Sequence, residues 1–221
     1  MKKMFSSLLL ALLAFTTTHK VSAQHWLANE INAFKKQDSI AAPPENAILF
    51  VGSSSFKLWT DVQSDFPRYT IINRGFGGST LPDVIYYTKD IILPYHPKQV
   101  VVYCGDNDLA ASDTVTAAAV AKRFQQLFYS IRKELPKTTI SYVSIKPSPS
   151  RMHLMDKMKE ANSLIKKFIK KQKRASYIDV FTPMLTADQQ PKPDLFLSDR
   201  LHMNKEGYQI WQKAIKPYLL K

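Results

Sequence analysis

Five short apolar segments alternate with stretches of helical periodicity along this chain of 221 residues. Continuous apolar runs of this kind are typical of strands whose two faces are both covered. We predict strands at 47–51, 69–72, 99–104, 138–144 and 176–180, and helices at 25–37, 82–90, 114–135, 152–173 and 205–220. Because strands that alternate with helices pair in parallel through right-handed crossovers, the expected fold class is α/β with three layers.

The first 23 residues have the pattern of a secretory signal peptide. Met1-Lys2-Lys3 precedes an apolar run at 4–15, and Val21-Ser22-Ala23 supplies the small residues of a cleavage site. The run is shorter than the ~18 residues of a membrane-spanning helix, which makes an uncleaved anchor the less favoured interpretation. We therefore expect cleavage near Ala23, export to a periplasm or to the medium, no membrane insertion afterwards, and one domain at 24–221.

Basic residues outnumber acidic residues by 31 to 18, and three of the 31 fall in the predicted signal, so the mature chain keeps a charge of about +10. This charge favours weak attraction to anionic cell-envelope polymers, whereas nucleic acid is not an expected partner of an exported protein. The most basic run is 166–174. We expect Ile165, Phe168 and Ile169 to face the core there and the lysines to face solvent, with polyanion binding as the alternative. The single cysteine, Cys104, excludes an intramolecular disulfide.

Polar residues and glycines follow three of the predicted strands, at the edge of the sheet where α/β proteins place their sites. Gly52 and a run of serines that includes Ser54 follow the first strand, glycines at 75–78 follow the second, and Asn107 follows the third. A serine hydroxyl, a glycine amide and an asparagine amide are groups that attack a carbonyl or bind an oxyanion. Each segment also fits a helix cap or an ordinary turn.

A second pattern, Asp199-x-x-His202, lies directly before the last predicted helix. At this spacing the carboxylate of Asp199 can hold Nδ1–H of the His202 imidazole and leave Nε2 free to take a proton from a serine. A solvated pair near a helix start is the alternative. The other histidines lack a comparable aspartate neighbour in the sequence.

Together and in this order, the four segments resemble the SGNH, or GDSL-like, hydrolases. The resemblance covers about 47–218 and is most specific from Ile48 to Ser54 and from Asp199 to Tyr208. It implies a three-layer α/β/α sandwich with a five-stranded, mostly parallel, flavodoxin-like sheet. In one departure, Ser53 stands where the family often has aspartate, which leaves the reacting serine to be chosen among three neighbours.

The resemblance also implies a role for each matched residue. Ser54 matches the nucleophile, His202 the general base and Asp199 the residue that orients the base. The backbone N–H groups of Ser54 and Gly78 and the side-chain amide of Asn107 match the oxyanion hole. The implied activity is hydrolysis of carboxylic esters by an exported serine esterase, without a metal or an organic cofactor.

The substrate is not fixed by the resemblance, because the family includes esterases, lysophospholipases, thioesterases and sugar deacetylases. Export and positive charge favour a small ester or an acylated glycan of the cell envelope. We further expect Lys146 or Arg151, in the loop after the fourth strand, to touch an anionic or sugar part of the substrate, unless that loop is only structural. Alternatives are an envelope-polysaccharide-binding protein without turnover, a lysophospholipase-type acylhydrolase, and a basic scaffold that binds through 166–174.

Overall fold

The computed structural model describes residues 18–221, with side chains from residue 27 onwards. Most of the predicted signal peptide therefore lies outside the described residues, and 18–23 form the start of helix α1 (Thr18–Ile40). Among the helices of residues 18–221, none combines the length and the apolar character of a membrane span.

Five parallel strands form the central sheet of the described chain. They are β1 (Ile48–Gly52), β2 (Ile71–Gly75), β3 (Gln99–Tyr103), β4 (Thr139–Val143) and β5 (Ala175–Ile178). Their order is β2-β1-β3-β4-β5, and every neighbouring pair is parallel. This confirms the predicted α/β class and the flavodoxin-like order of strands.

Helices cover both faces of the sheet. After α1 they are α2 (Ser54–Lys57), α3 (Val62–Asp65), α4 (Leu81–Tyr86), α5 (Thr88–Ile91), α6 (Asp106–Ala110), α7 (Ala117–Glu134), α8 (Met155–Ile169) and α9 (Lys205–Ile215). Apolar side chains of α1, α4, α5, α7 and α8 belong to one buried cluster, and those of α2, α3 and α9 belong to the other.

Side chains that alternate along each strand contribute to both clusters. In β1, Leu49 and Val51 point into the first cluster, and Ile48 and Phe50 point into the second. Successive side chains of a strand point to opposite faces, so a sheet covered on both sides requires apolar residues at every position. This is why the strands read as unbroken hydrophobic runs in the sequence.

Strand β2 differs most from its prediction, since it begins and ends later than 69–72. Asn73 and Arg74 continue the strand because their polar groups have partners. Asn73 Nδ2 donates to the carbonyl of Phe56 at 2.7 Å, and Arg74 Nε donates to the hydroxyl of Tyr95 at 2.7 Å. A polar residue with such partners does not end a buried strand.

Two predicted helices are divided in the structure. The segment 82–90 is split between α4 and α5 at Tyr87, whose backbone leaves the helical region. The segment 152–173 begins with a 3₁₀ helix at Pro149–Leu154, in which Arg151 is non-helical, and α8 starts at Met155. Beyond α8, Arg174 has a positive φ of 51°, so the chain turns before β5.

The basic run at 166–174 packs as predicted. Ile165 and Ile169 are buried and Phe168 packs against the same apolar cluster, whereas the neighbouring lysines are exposed. Lys167 and Lys171 also line a surface groove of 340 Å³ between α7 and α8. Attraction of this face to an anionic polymer stays a prediction.

The register of the sheet brings three loops to one edge. Gly52 at the end of β1 lies opposite Gly75 of β2 and Tyr103 of β3. Its φ is +138°, and a Cβ there would lie 1.8 Å from the carbonyl oxygen of Tyr103. Glycine is therefore required for the tight exit from β1, which directs the following serines over the carboxyl ends of the strands.

Candidate active site

Ser54 is the serine that lies beside the histidine. It is the first residue of α2, and its Oγ is 3.0 Å from Nε2 of His202. Ser53 and Ser55 on either side are each only 1% exposed, whereas Ser54 is half-buried. Of the three neighbouring serines, Ser54 therefore has both an accessible hydroxyl and a base within hydrogen-bond distance.

Asp199 and His202 share one tight turn. Asp199 Oδ1 accepts the backbone N–H groups of Leu201 and His202, each at 2.9 Å, and Oδ2 is 2.5 Å from His202 Nδ1. Arg200 between them has a φ of +58°, which closes the turn. The predicted placement of Asp199 and His202 on the same turn agrees with this geometry.

These contacts keep Asp199 charged and select the tautomer of the His202 ring. Burial alone would raise the pKa of Asp199, but the hydrogen bonds from Leu201 and His202 outweigh it and lower that pKa to about 2. The carboxylate is therefore an acceptor only, and Nδ1 of His202 must carry the hydrogen. When the ring is neutral, Nε2 therefore presents its lone pair to the hydroxyl of Ser54.

Gly78, in the loop after β2, and Asn107, in α6, lie at the same edge of the sheet. Asn107 Nδ2 donates to the carbonyl oxygen of Ser79 at 3.0 Å, which joins α6 to the loop after β2. Gly78 has a φ of +69°, and a Cβ there would meet nothing within 4 Å. The backbone at Gly78 is thus open on the side where a ligand can approach.

The side chain of Arg151 contacts the side-chain amide of Asn107. Its Nη2 donates to Asn107 Oδ1 at 2.9 Å, and its Nη1 lies 2.9 Å from Asp106 Oδ2. The side chain of Arg151 is 15% exposed. The guanidinium of Arg151, expected to touch substrate, therefore contacts two residues of α6, by a hydrogen bond to Asn107 and an ion pair with Asp106, and its Nη1 makes no hydrogen bond with the described residues.

Lys146 does not fit the role expected for it. Its side chain is 1% exposed, with Nζ 3.5 Å from Asp106 Oδ2 and 3.3 Å from the hydroxyl of Tyr103. Substrate contact by Lys146 is therefore wrong, because the ammonium is enclosed by its protein partners. Burial lowers the pKa of Lys146, and the carboxylate of Asp106 opposes that shift.

Asp106 completes this buried group. Burial alone would raise its pKa, but the charges of Lys146 and Arg151 outweigh it, and the pKa of Asp106 is lowered. Its Oδ1 also accepts the backbone N–H of Asn107 at 3.0 Å. We call Asp106, Lys146 and Arg151 the Asp106 cluster.

A comparison with protein families matches residues 38–210 to the GDSL-like lipase/acylhydrolase family. The chain belongs to this family. The match spans β1 to α9 and so contains every residue of the site described above. The resemblance drawn from the four sequence segments is confirmed at the level of the family.

Solved structures with this fold include three that cover most of the chain. A Streptococcus pneumoniae protein provisionally described as a platelet activating factor has 22% identity and a TM-score of 0.76, with 92% of this chain and 100% of that chain covered. A GDSL-like lipase from Bacteroides thetaiotaomicron has 20% identity and a TM-score of 0.71, covering 85% and 96%. An acetyl xylan esterase from Geobacillus stearothermophilus has 14% identity and a TM-score of 0.64, covering 80% and 97%. A comparison with curated protein sequences gives no match.

In this member of the GDSL-like family, α1 also reaches the site, which the sequence analysis missed. The carboxylate of Glu30 accepts the backbone N–H of Gly77, with both oxygens at 3.2 Å, and lies 3.0 Å from Nζ of Lys57. Glu30 thereby holds the loop that carries Gly78. No local motif signals this contact, because Glu30 and Gly77 are 47 positions apart.

Asp108 and Tyr208 are further supports that the sequence analysis did not assign. The buried Asp108 accepts the backbone N–H of Leu81 at 2.8 Å and pairs with Arg123 at 2.7 Å, which ties α6 to α4 and α7. Tyr208 of α9 donates its hydroxyl to the carbonyl oxygen of Ser55 at 3.0 Å. Asp108 could have been suspected from its place beside Asn107, whereas the partner of Tyr208 lies far away in the chain.

Proposed function

We propose that this protein is an exported serine esterase that hydrolyses acyl or acetyl esters. One observation carries the proposal: Ser54 Oγ, His202 and Asp199 form a continuous chain of contacts at 3.0 and 2.5 Å. A hydroxyl, an imidazole and a carboxylate in this order constitute an activated nucleophile. Membership of a family of lipases and acylhydrolases supports the same class of reaction.

In the proposed mechanism, His202 Nε2 takes the proton of Ser54 while Oγ bonds to the carbonyl carbon of the ester. The carbonyl electron pair moves to oxygen, and the N–H groups of Ser54, Gly78 and Asn107 stabilise that charge. Each such donor is worth about 10²–10³ in rate. His202 then protonates the departing alcohol, and the acyl-enzyme remains.

Hydrolysis of the acyl-enzyme repeats these steps with water. His202 takes a proton from the water as its oxygen bonds to the acyl carbon, and the tetrahedral intermediate then releases the acid and returns the proton to Ser54 Oγ. Asp199 keeps Nδ1 protonated throughout and stabilises the imidazolium that forms twice in each turnover.

For the substrate we propose an acetyl or other short acyl ester on a carbohydrate of the cell envelope. The structural neighbour that acts on acetyl xylan supports a carbohydrate ester. Gly78 is exposed and the side chain of Asp199 is 46% exposed, which supports access by a polymer. The positive charge of the chain favours an anionic envelope polymer.

A fluorophosphonate probe tests the nucleophile without a known substrate. We expect a stoichiometric adduct on Ser54, located by tandem mass spectrometry, that is lost in His202→Ala and kept in the matched control Ser53→Ala. An adduct on Ser53 or Ser55 would contradict the choice of nucleophile. Folded protein that takes up no label would favour the alternative of a polysaccharide-binding protein without turnover.

The substrate and the export are tested separately. Acetate release from acetylated xylooligosaccharides should exceed fatty acid release from lysophosphatidylcholine, and the reverse ranking would favour the lysophospholipase-type alternative. Mass spectrometry of the protein recovered from the cell envelope or the medium should give an N-terminus at Gln24. An intact Met1 on cytoplasmic protein would contradict export.

A further inference from the structure

The side-chain amide of Asn107 needs a fixed orientation if it is to bind an oxyanion. An asparagine amide has an acceptor end and a donor end of nearly equal shape, so rotation by half a turn exchanges them. An oxyanion hole requires the donor end at the reacting carbonyl. A neighbour that distinguishes the two ends therefore controls how well the hole works.

Two contacts distinguish the ends of Asn107. Arg151 Nη2 donates to Oδ1 at 2.9 Å, and Nδ2 donates one hydrogen to the carbonyl of Ser79 at 3.0 Å. A flipped amide would set its oxygen against the Ser79 carbonyl and its hydrogens against the guanidinium. Both contacts would then be repulsive, so a single orientation survives and the second Nδ2 hydrogen stays free for a ligand.

Arg151 is itself held from behind. Asp106, with a side chain 5% exposed, receives the guanidinium at 2.9 Å, and Lys146 lies 3.5 Å from the same carboxylate oxygen. Burial strengthens these charge interactions because little water is present to screen them. The guanidinium is therefore anchored by an ion pair with Asp106, while its buried Nη1 makes no hydrogen bond with the described residues.

Arg151 also brings a positive charge to the amide of Asn107. A cation bonded to Oδ1 of Asn107 draws electron density from the amide and makes its N–H a stronger donor. The positive charge of Arg151 also favours a negative oxygen that forms beside that N–H.

We propose that Arg151 is a positioning residue that fixes and polarises the Asn107 amide for oxyanion binding, with Asp106 and Lys146 as its buried anchor. The inference rests on the proposed esterase function and replaces the expected substrate contact. Arg151 acts through Asn107, so its contribution must disappear when the Asn107 amide is removed.

A double-mutant cycle on Arg151 and Asn107 tests this dependence with a small neutral ester, 4-nitrophenyl acetate. We expect Arg151→Met to lower kcat by about tenfold to a hundredfold, part of the effect of a whole oxyanion donor, with KM changed less than about twofold. Asn107→Ala should lower kcat by about 10²–10³. The double variant should match Asn107→Ala alone, because no amide is left to position.

Arg151→Lys and Arg132→Met are the matched variants. The lysine keeps a positive charge for Asp106 but has no planar fork to reach Asn107 as well, so it should not restore kcat. If Arg151→Met fails to fold, Arg151→Lys replaces it in the double-mutant cycle. Arg132→Met removes an arginine that donates to the carbonyl oxygens of Thr138 and Arg174, at the opposite ends of the strands from the site, and should lower Tm while leaving kcat unchanged.

Three outcomes would overturn the inference. Effects of Arg151→Met and Asn107→Ala that multiply would show that Arg151 acts independently of the amide. A raised KM for anionic esters with unchanged kcat on the neutral ester would restore the substrate contact. If kcat falls by the same factor as the fraction of protein that the fluorophosphonate labels, the variant merely contains fewer intact sites, and the role of Arg151 is structural. Wild-type protein that neither turns over an ester nor takes up the probe would overturn the proposed function and this inference together.

Discussion

The Asp199–His202 turn and the Asp106 cluster both support the loops around Ser54, but water reaches them very differently. The side chains of Asp199 and His202 are 46% and 24% exposed, whereas those of Asp106 and Lys146 are 5% and 1% exposed. The turn closes between residues three positions apart, and the cluster joins the loops that follow β3 and β4.

This difference in exposure predicts different effects of mutations on turnover and on stability. Replacing a side chain on an exposed turn leaves water in its place and removes little packing. Replacing one member of a buried ionic group leaves its partners charged and without water. We therefore expect changes in the turn to abolish turnover in a folded protein, and changes in the cluster to affect folding and turnover together.

The largest effect is expected for His202→Ala. Removing the proposed general base should lower kcat by about 10⁴-fold or more, since the members of a Ser-His-Asp triad act as a unit. The Tm should change little because the imidazole is partly exposed. Ester turnover and a thermal melt on the same preparation check both parts.

Arg200→Ala is the matched control for that experiment. Arg200 lies in the same turn with an exposed side chain, so its replacement should leave kcat within a few-fold of wild type. A His202→Ala protein that keeps more than a tenth of the wild-type kcat would refute the assignment of the base.

The next largest effect is expected for Asp106→Asn. This change leaves Lys146 and Arg151 buried without their carboxylate and should lower the free energy of unfolding by about 3–5 kcal/mol. Urea denaturation measures the loss. As a control, Asp90→Asn removes the partner of Lys35 in a surface pair whose side chains are 30% and 55% exposed, and it should cost less than about 1 kcal/mol. Equal losses in the two variants would contradict the contrast between buried and exposed charges.

The same contrast explains which parts of the molecule the sequence predicts. Unbroken apolar runs predict the strands, and the spacing of Asp199 and His202 predicts their shared turn, because the determining residues are close in the chain. Gly52 and Ser54 are likewise adjacent to the strand that positions them. These features depend on local backbone geometry, so they can be predicted without knowledge of distant contacts.

Long-range charge pairs are different. A lysine after an apolar strand is ordinarily solvated, and Lys146 is buried only because Asp106 arrives from another strand. Likewise, β2 continues through Arg74 because Tyr95 and Asp38 receive its guanidinium. Which carboxylate meets which cation is decided by tertiary packing, and single-sequence patterns do not contain that information.

A smaller effect is expected when the pH is lowered, and it concerns Asp199 in the exposed turn. The pKa of Asp199 is about 2 in the folded protein, against about 3.9 in an unfolded chain. A lowered pKa contributes stability above the unfolded value, and this contribution is lost as pH falls from about 4 to about 2. The stability difference between wild type and Asp199→Asn should therefore be largest above pH 4 and shrink towards pH 2.

Urea denaturation at a series of pH values measures that difference. Asp188→Asn is a suitable control, because Asp188 is an exposed loop residue distant in sequence from the turn, and its difference from wild type should stay flat across the range. A difference for Asp199→Asn that is equally flat would show that the turn does not hold the carboxylate as described.

The smallest effect is expected for the hydrogen bond between Tyr208 of α9 and Ser55, the residue that follows Ser54. Tyr208→Phe removes the hydroxyl that donates to the carbonyl of Ser55 at 3.0 Å but keeps the ring, which stacks on Trp59 with centroids 5.0 Å apart. Loss of a single neutral hydrogen bond should cost about 1 kcal/mol in the free energy of unfolding. Because Tyr208 lies in the helix that follows His202, kcat should fall, but only by a few-fold. The ring contact with Trp59, two residues after α2, still holds α9 in place. A fall as large as that of His202→Ala would mean that the exposed turn depends on long-range support as strongly as the Asp106 cluster does, and the contrast between the two sides of the site would fail.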